Sequence, residues 1–162
     1  MPGTEVIVDG IPGDTGYEHT LFIKGSLEIQ GDSLGVTFHS VTEEVDGWKG
    51  IYLEGQARID GLSLMQAERG LTVTETAELT VTNSIFHNNL IGIHCYGSHV
   101  VILNTRFTNN AWYGLKEDAG GRPEVRDCIF SVNGTHYYHA GKTDLTAAEL
   151  NALENNAGNQ YE

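Results

Sequence analysis

Apolar residues recur along the chain in short alternating runs rather than at helical spacing. In "RGLTVTETAELTVTNSIFHNNL", which begins at Arg69, Leu71 and Val73 and then Leu79 and Val81 alternate with polar neighbours. The next row, "IGIHCYGSHVVILNTRFTNNAW" from Ile91, repeats the pattern with Ile93, Cys95, Val100 and Ile102. A period of two sends successive side chains to opposite faces of a strand, so these positions predict strands with one buried face. The step of glycine plus an apolar residue returns at Gly50-Ile51, Gly70-Leu71, Gly92-Ile93 and Gly114-Leu115, at intervals of 20, 22 and 22 residues. Self-similarity at a fixed short period is the mark of a solenoid. Leucine-rich repeats share such a period but need a Leu-rich consensus, whereas these rows hold Val, Ile, Thr and Phe and almost no helix-favouring stretch. Three short strands per turn, stacked in parallel at about 4.8 Å per coil, fit the rows.

The polar letters recur as regularly. Gly61, Asn83, Asn104 and Asp127 each stand three residues before an apolar position, Leu64, Phe86, Phe107 and Phe130. Gly, Asn and Asp tolerate a left-handed backbone, so this column predicts the bend between two strands. A second column, Ala67, Asn89, Asn110 and Asn133, predicts a ladder of amides bonded from coil to coil. At the C-terminal end "TDLTAAELNALENNAGNQYE" changes character, and Thr146-x-x-Glu149 ahead of Leu150 and Leu153 predicts a capped amphipathic helix closing the stack. Residues 1–142 are read as coils, about six or seven of them, and residues 143–162 as the cap of the same domain. "MPGTEV" offers no comparable cap, which leads us to expect an end-to-end homodimer or a neighbouring domain of a longer chain. "SVTEEVDGW" and "GYEH" are expected to leave the stack as loops.

Composition narrows the partners. Lys and Arg number 9 against 22 Asp and Glu, a net charge of −13, which repels nucleic-acid backbones and anionic lipid headgroups. No apolar run has the length of a membrane span, so no membrane insertion is expected, and the opening residues lack the pattern of a signal peptide. Cys95 and Cys128 are read as two buried thiols rather than a disulfide framework. His136 and His139 would face opposite sides of a strand, which argues against zinc. "DGIPGD" and "EEVDG" are acidic loops with weak calcium character. Thr72, Thr74, Thr80 and Thr82 alternate outward like an ice-ordering array, but neighbouring coils do not continue it.

Outward positions form readable columns. Two residues after the recurring glycine stand Tyr52, Thr72, His94 and Lys116, with Tyr138 in the matching place of the last row. Four residues after it stand Glu54, Thr74, Tyr96 and Asp118, and just before the strand come Trp48, Trp112 and Tyr113. Aromatic faces suit the C–H faces of sugar rings, and charged side chains suit their hydroxyls. This face is therefore expected to hold a polysaccharide or cell-surface glycan, with Tyr52, Tyr96, Trp112, Tyr113 and Glu54 among its contacts.

The rows "VTNSIFHNNLIGI", "ILNTRFTNNAWYGL" and "VRDCIFSVNG" resemble the right-handed parallel β-helix family, which includes pectate-lyase-like proteins and bacterial surface proteins built from parallel β-helix repeats. The likeness reaches upstream through "GTEVIVDG", "LFIKGSLEIQGD", "GVTFHS" and "WKGIYLEG" and covers most of residues 3–140. It implies an all-β, single-stranded, right-handed parallel β-helix and an extracellular or cell-surface setting. For activity it implies either a binding or structural module, a ligand-free adhesin stalk, or a polysaccharide lyase. In the lyase case Lys116 would be the base, His94 or Tyr138 a proton donor, and Glu117 with Asp118 would hold calcium. Hydrolysis by paired carboxylates needs several acidic residues on adjacent coils, and Glu54 and Asp118 lie at different heights.

Overall fold

The computed structural model describes residues 4–8, 20–31, 35–42, 44, 46–96, 99–118, 123–142 and 144–162. The "GYEH" and "DGIPGD" segments lie outside the described residues. The chain runs β1 (Thr4–Val8), β2 (Thr20–Ile23), β3 (Ser26–Gln30), β4 (Val36–Ser40), β5 (Gly50–Leu53), β6 (Gln56–Asp60) and β7 (Leu62–Met65). It continues through β8 (Arg69–Val73), β9 (Glu78–Thr82), β10 (Ile85–His87), β11 (Ile91–Tyr96), β12 (His99–Leu103) and β13 (Arg106–Thr108). The last elements are β14 (Tyr113–Asp118), β15 (Glu124–Arg126), β16 (Ile129–Ser131), β17 (Thr135–His139), α1 (Ala147–Ala152) and β18 (Gln160–Tyr161).

As far as β17 every third strand joins the same sheet, and β18 then joins β16. The first sheet is β1-β4-β7-β10-β13-β16-β18, the second β2-β5-β8-β11-β14-β17, and the third β3-β6-β9-β12-β15. Every strand pair is parallel. The three sheets hold seven, six and five strands and the turns at the ends are incomplete, so the complete coils are fewer than the six or seven expected. The segment between Ser40 and Trp48 contains no strand among its described residues, as the interruption of the repeat there predicts.

The repeat letters have the roles that their spacing suggests. Asn83, Asn104 and Asp127 adopt φ of +50°, +47° and +53° at the bend before the first-sheet strands, and Gly61 takes +71° in the same column. In the ladder Asn89 Nδ2 donates to Asn110 Oδ1 at 3.1 Å, and Asn110 Nδ2 donates to Asn133 Oδ1 at 2.9 Å. Each of these oxygens also accepts a backbone N–H of the preceding coil. A buried turn that would otherwise strand its amide groups is thereby satisfied from Ala67 to Asn133. Inside, Phe86, Phe107 and Phe130 stack with centroids 5.6 and 4.9 Å apart. The recurring glycine marks a close approach of neighbouring coils: a Cβ on Gly92 would lie 2.4 Å from the Gly114 carbonyl oxygen.

Cys128 is a free, buried thiol that takes the place of the Ser84 and Thr105 hydroxyls, donating to the Arg126 carbonyl at 3.2 Å as they donate to Thr82 and Leu103. Burial raises its pKa to about 11, and burial likewise pushes the Cys95 thiol far above its ordinary range, so neither is a ready nucleophile. At the C-terminal end the expected capping box forms: Glu149 N donates to Thr146 Oγ1, and Thr146 N donates to the Glu149 carboxylate. Leu150 is fully buried and Leu153 packs against the core. The tail does more than the sequence pattern predicts. After α1 it returns to add β18 to the first sheet, while Asn156 and Asn159 accept from the Val125 and Cys128 amides.

Candidate functional site

Strand register places the outward column side by side. Phe22 pairs with Tyr52, Tyr52 with Thr72, Thr72 with His94, His94 with Lys116 and Lys116 with Tyr138. Tyr96 pairs with Asp118 in the next column. Residues as far apart as Tyr52 and Tyr138 thus share one outer face of the second sheet, because a solenoid turns equal spacing into vertical neighbours.

Two regions of this face differ in character. Toward β2, β5 and β8 a groove of about 830 Å³ contains Tyr52, Glu54 and Tyr96 of the expected contacts, beside the buried Thr72, Thr74, whose hydroxyl is enclosed, and the exposed Thr76. It also contains Lys24, Lys49, Glu68 and Arg69, which spacing arguments passed over. Lys49 and Arg69 stand immediately before Gly50 and Gly70, one row apart, and that repeated basic letter was the available signal. Glu68 gathers both, at 2.7 Å from Lys49 Nζ and 3.6 Å from Arg69, and Lys24 lies 3.8 Å from Glu54. Tyr52 packs against Phe22 at 5.4 Å between centroids.

Toward β11, β14 and β17 the face carries a charged cluster. Asp118 Oδ2 lies 2.9 Å from Lys116 Nζ and 2.8 Å from His94 Nε2. Lys116 Nζ sits 5.7 Å from the ring centroids of both Tyr113 and Tyr138, within cation–π range. Partial burial would push the Asp118 carboxyl up, but the hydrogen bonds from Lys116 and His94 outweigh it and hold Asp118 below the usual carboxylate range. Burial lowers His94, against the pull of Asp118, so the ring is neutral near pH 7. Trp112 stands at the margin of this region and is 55% exposed.

Three sequence expectations need correction. His94 holds an outward register position yet is buried, because the Tyr96 ring lies over it at 4.2 Å and Asp118 takes its Nε2; it positions neighbours rather than meeting solvent. Trp48 belongs to the core, stacked at 6.4 Å on Phe38 and donating its indole N–H to the Met65 carbonyl. Glu117 and Asp118 do not form a joint calcium site. Adjacent on β14, they point to opposite sides, and Glu117 is fully buried, where its Oε2 accepts from the Tyr137 hydroxyl at 2.7 Å and meets His139 Nδ1 at 2.5 Å. Burial and this carboxylate together push the Tyr137 hydroxyl well above its ordinary range.

A family model described as a right-handed beta helix region matches residues 26–160, and the chain belongs to that family. No curated protein matched the sequence, and no solved structure matched it.

Proposed function

We propose that the protein is a carbohydrate-binding module of a secreted or cell-surface protein, with the glycan lying along the outer face of the second sheet. One observation carries the reading: the groove at β2, β5 and β8 opens beside Tyr96, and the register of the same sheet continues through Lys116 to Tyr138, whose ring meets that of Tyr113. A polymer of sugar rings needs such an elongated surface, with apolar ring faces for its C–H sides and alternating donors and acceptors for its hydroxyls. The Thr76 hydroxyl, carboxylates and ammonium groups supply the latter here.

A second reading, β-elimination by Lys116, rests on the meeting of Lys116, Tyr138 and the Asp118–His94 pair at one edge of that face. Lys116 would take the proton beside a uronate carboxyl while Tyr138 stands beside the leaving oxygen. A single experiment separates the readings. The protein is run in gels containing each of a panel of neutral and acidic polysaccharides, and the same mixtures are followed for the ultraviolet absorbance of unsaturated uronide. Retarded mobility without absorbance is the expected result. Absorbance that disappears in Lys116→Ala would replace binding with elimination, and a protein that neither moves slowly nor forms product would leave the stalk reading in possession.

A further inference from the structure

We infer that the groove is built for an uncharged glycan rather than an acidic one, an inference that rests on the glycan-binding reading above. Among the described residues the groove is lined by three cations, Lys24, Lys49 and Arg69, and by three carboxylates, Glu54, Glu68 and Glu75. Among the described residues of the groove the charges balance, three against three, whereas the chain as a whole carries −13.

The pairing is as informative as the count. Each of the three cations already has a carboxylate of the same groove: Lys24 has Glu54, and Lys49 and Arg69 share Glu68. The Lys49–Glu68 pair is the tightest at 2.7 Å and is sheltered, its side chains being 22% and 28% exposed. The cluster further along the face obeys the same rule, with Lys116 on Asp118. A site for a polyanion leaves its cations open to the incoming charge, since a charge-assisted bond to the ligand is what repays the loss of water around both partners. Here a ligand carboxylate would have to displace an internal one and leave Glu68 close to it, beneath the repulsive field of an acidic molecule. A hydroxyl meets no such opposition. It donates to a carboxylate and accepts from a lysine or arginine N–H, so vicinal sugar hydroxyls can bridge a Lys–Glu pair without breaking it. The exposed Thr76 extends the same uncharged chemistry.

The inference gives opposite signs for one substitution. Glu68→Gln exchanges one acceptor oxygen for a donating amide, removes the charge and frees two cations, so it should weaken a neutral glycan about tenfold; if the ligand were acidic, the same change would tighten it. Glu54→Gln, at the more exposed pair, should act in the same direction and keeps the test open should Glu68→Gln not fold. The probes are polygalacturonate and alginate, the carboxyl-reduced form of each, and xylan, mannan and a β-glucan, titrated calorimetrically at low and high salt. We expect at least one neutral polymer to bind about tenfold or more tighter than any acidic one, with little salt dependence, and to be weakened by both variants. Equal or tighter binding of an acidic polymer, or tightening in either variant, overturns the inference while leaving glycan binding intact. Silence from every polymer overturns the glycan-binding reading itself, and this inference with it.

Discussion

Asn110 uses its whole side-chain amide between coils. Its Nδ2 donates to Asn133 Oδ1 and to the Phe86 carbonyl, and its Oδ1 accepts from Asn89 twice, through backbone and side chain. Replacing it with leucine strands several buried groups, and the expected cost is about 3 kcal/mol in urea unfolding. Lys116→Ala removes a partly buried ion pair but leaves Asp118 its bond to His94, and it should cost less than about 1 kcal/mol; equal losses would mean that scaffold and site have been confused. Histidines set the acid limit. Burial holds His87, His94 and His136 below the ordinary imidazole range. The unfolded chain therefore binds more protons between the folded and unfolded values, and stability falls as pH drops below about 6.5. Thermal melts from pH 7 to pH 5 should show this fall, with a shallower slope in His94→Gln; a flat profile would contradict it. The turn column was legible at this scale because left-handed tolerance is a local property of Asn, Asp and Gly. The burial of His94 was not, because it depends on where Tyr96 and Asp118 lay their side chains. Glu117 was readable in part: alternation from Ile93 and Cys95 turns it inward, and its negative charge drew attention to the surface instead.

At the scale of strands the sequence pattern carried most of the arrangement. Alternation assigned Leu71, Val73, Leu79, Val81, Val100 and Ile102 to the interior, and all six are buried. The spacing of Gly50, Gly70, Gly92 and Gly114 set the register, since Ile51, Leu71, Ile93 and Leu115 follow one another in pairing. The glycine itself answers to backbone crowding, so Gly92→Ala forces a Cβ against the Gly114 oxygen and also to 3.0 Å from the Phe107 ring. The expected loss is about 1–3 kcal/mol with the spectrum of the fold retained, measured by denaturant titration; an unchanged midpoint would show that the coils can separate locally. β18 escaped prediction because two residues carry no period, and its partner β16 precedes it by a whole cap.

Across the whole molecule, the C-terminal cap decides whether the stack ends or continues. Leu145, Leu150, Leu153 and Tyr161 pack against the core there, and the tail supplies hydrogen bonds to the last coil. Deleting residues 143–162 should lower the melting temperature and produce concentration-dependent association in sedimentation, as open strand edges find one another. Retained monomer with an unchanged melt would assign closure elsewhere. The fold was legible from the repeat; the site was legible only as a face, because the row spacing predicts which residues are neighbours but not which charges pair. Tyr52 and Tyr96 belong to the groove and not to the buried core, which makes their joint replacement by alanine the most direct test of the glycan face. In gels carrying the neutral polysaccharides, wild-type protein should be retarded and the double variant should run freely with its melting temperature retained. Equal retardation of both proteins would contradict the assignment of this face.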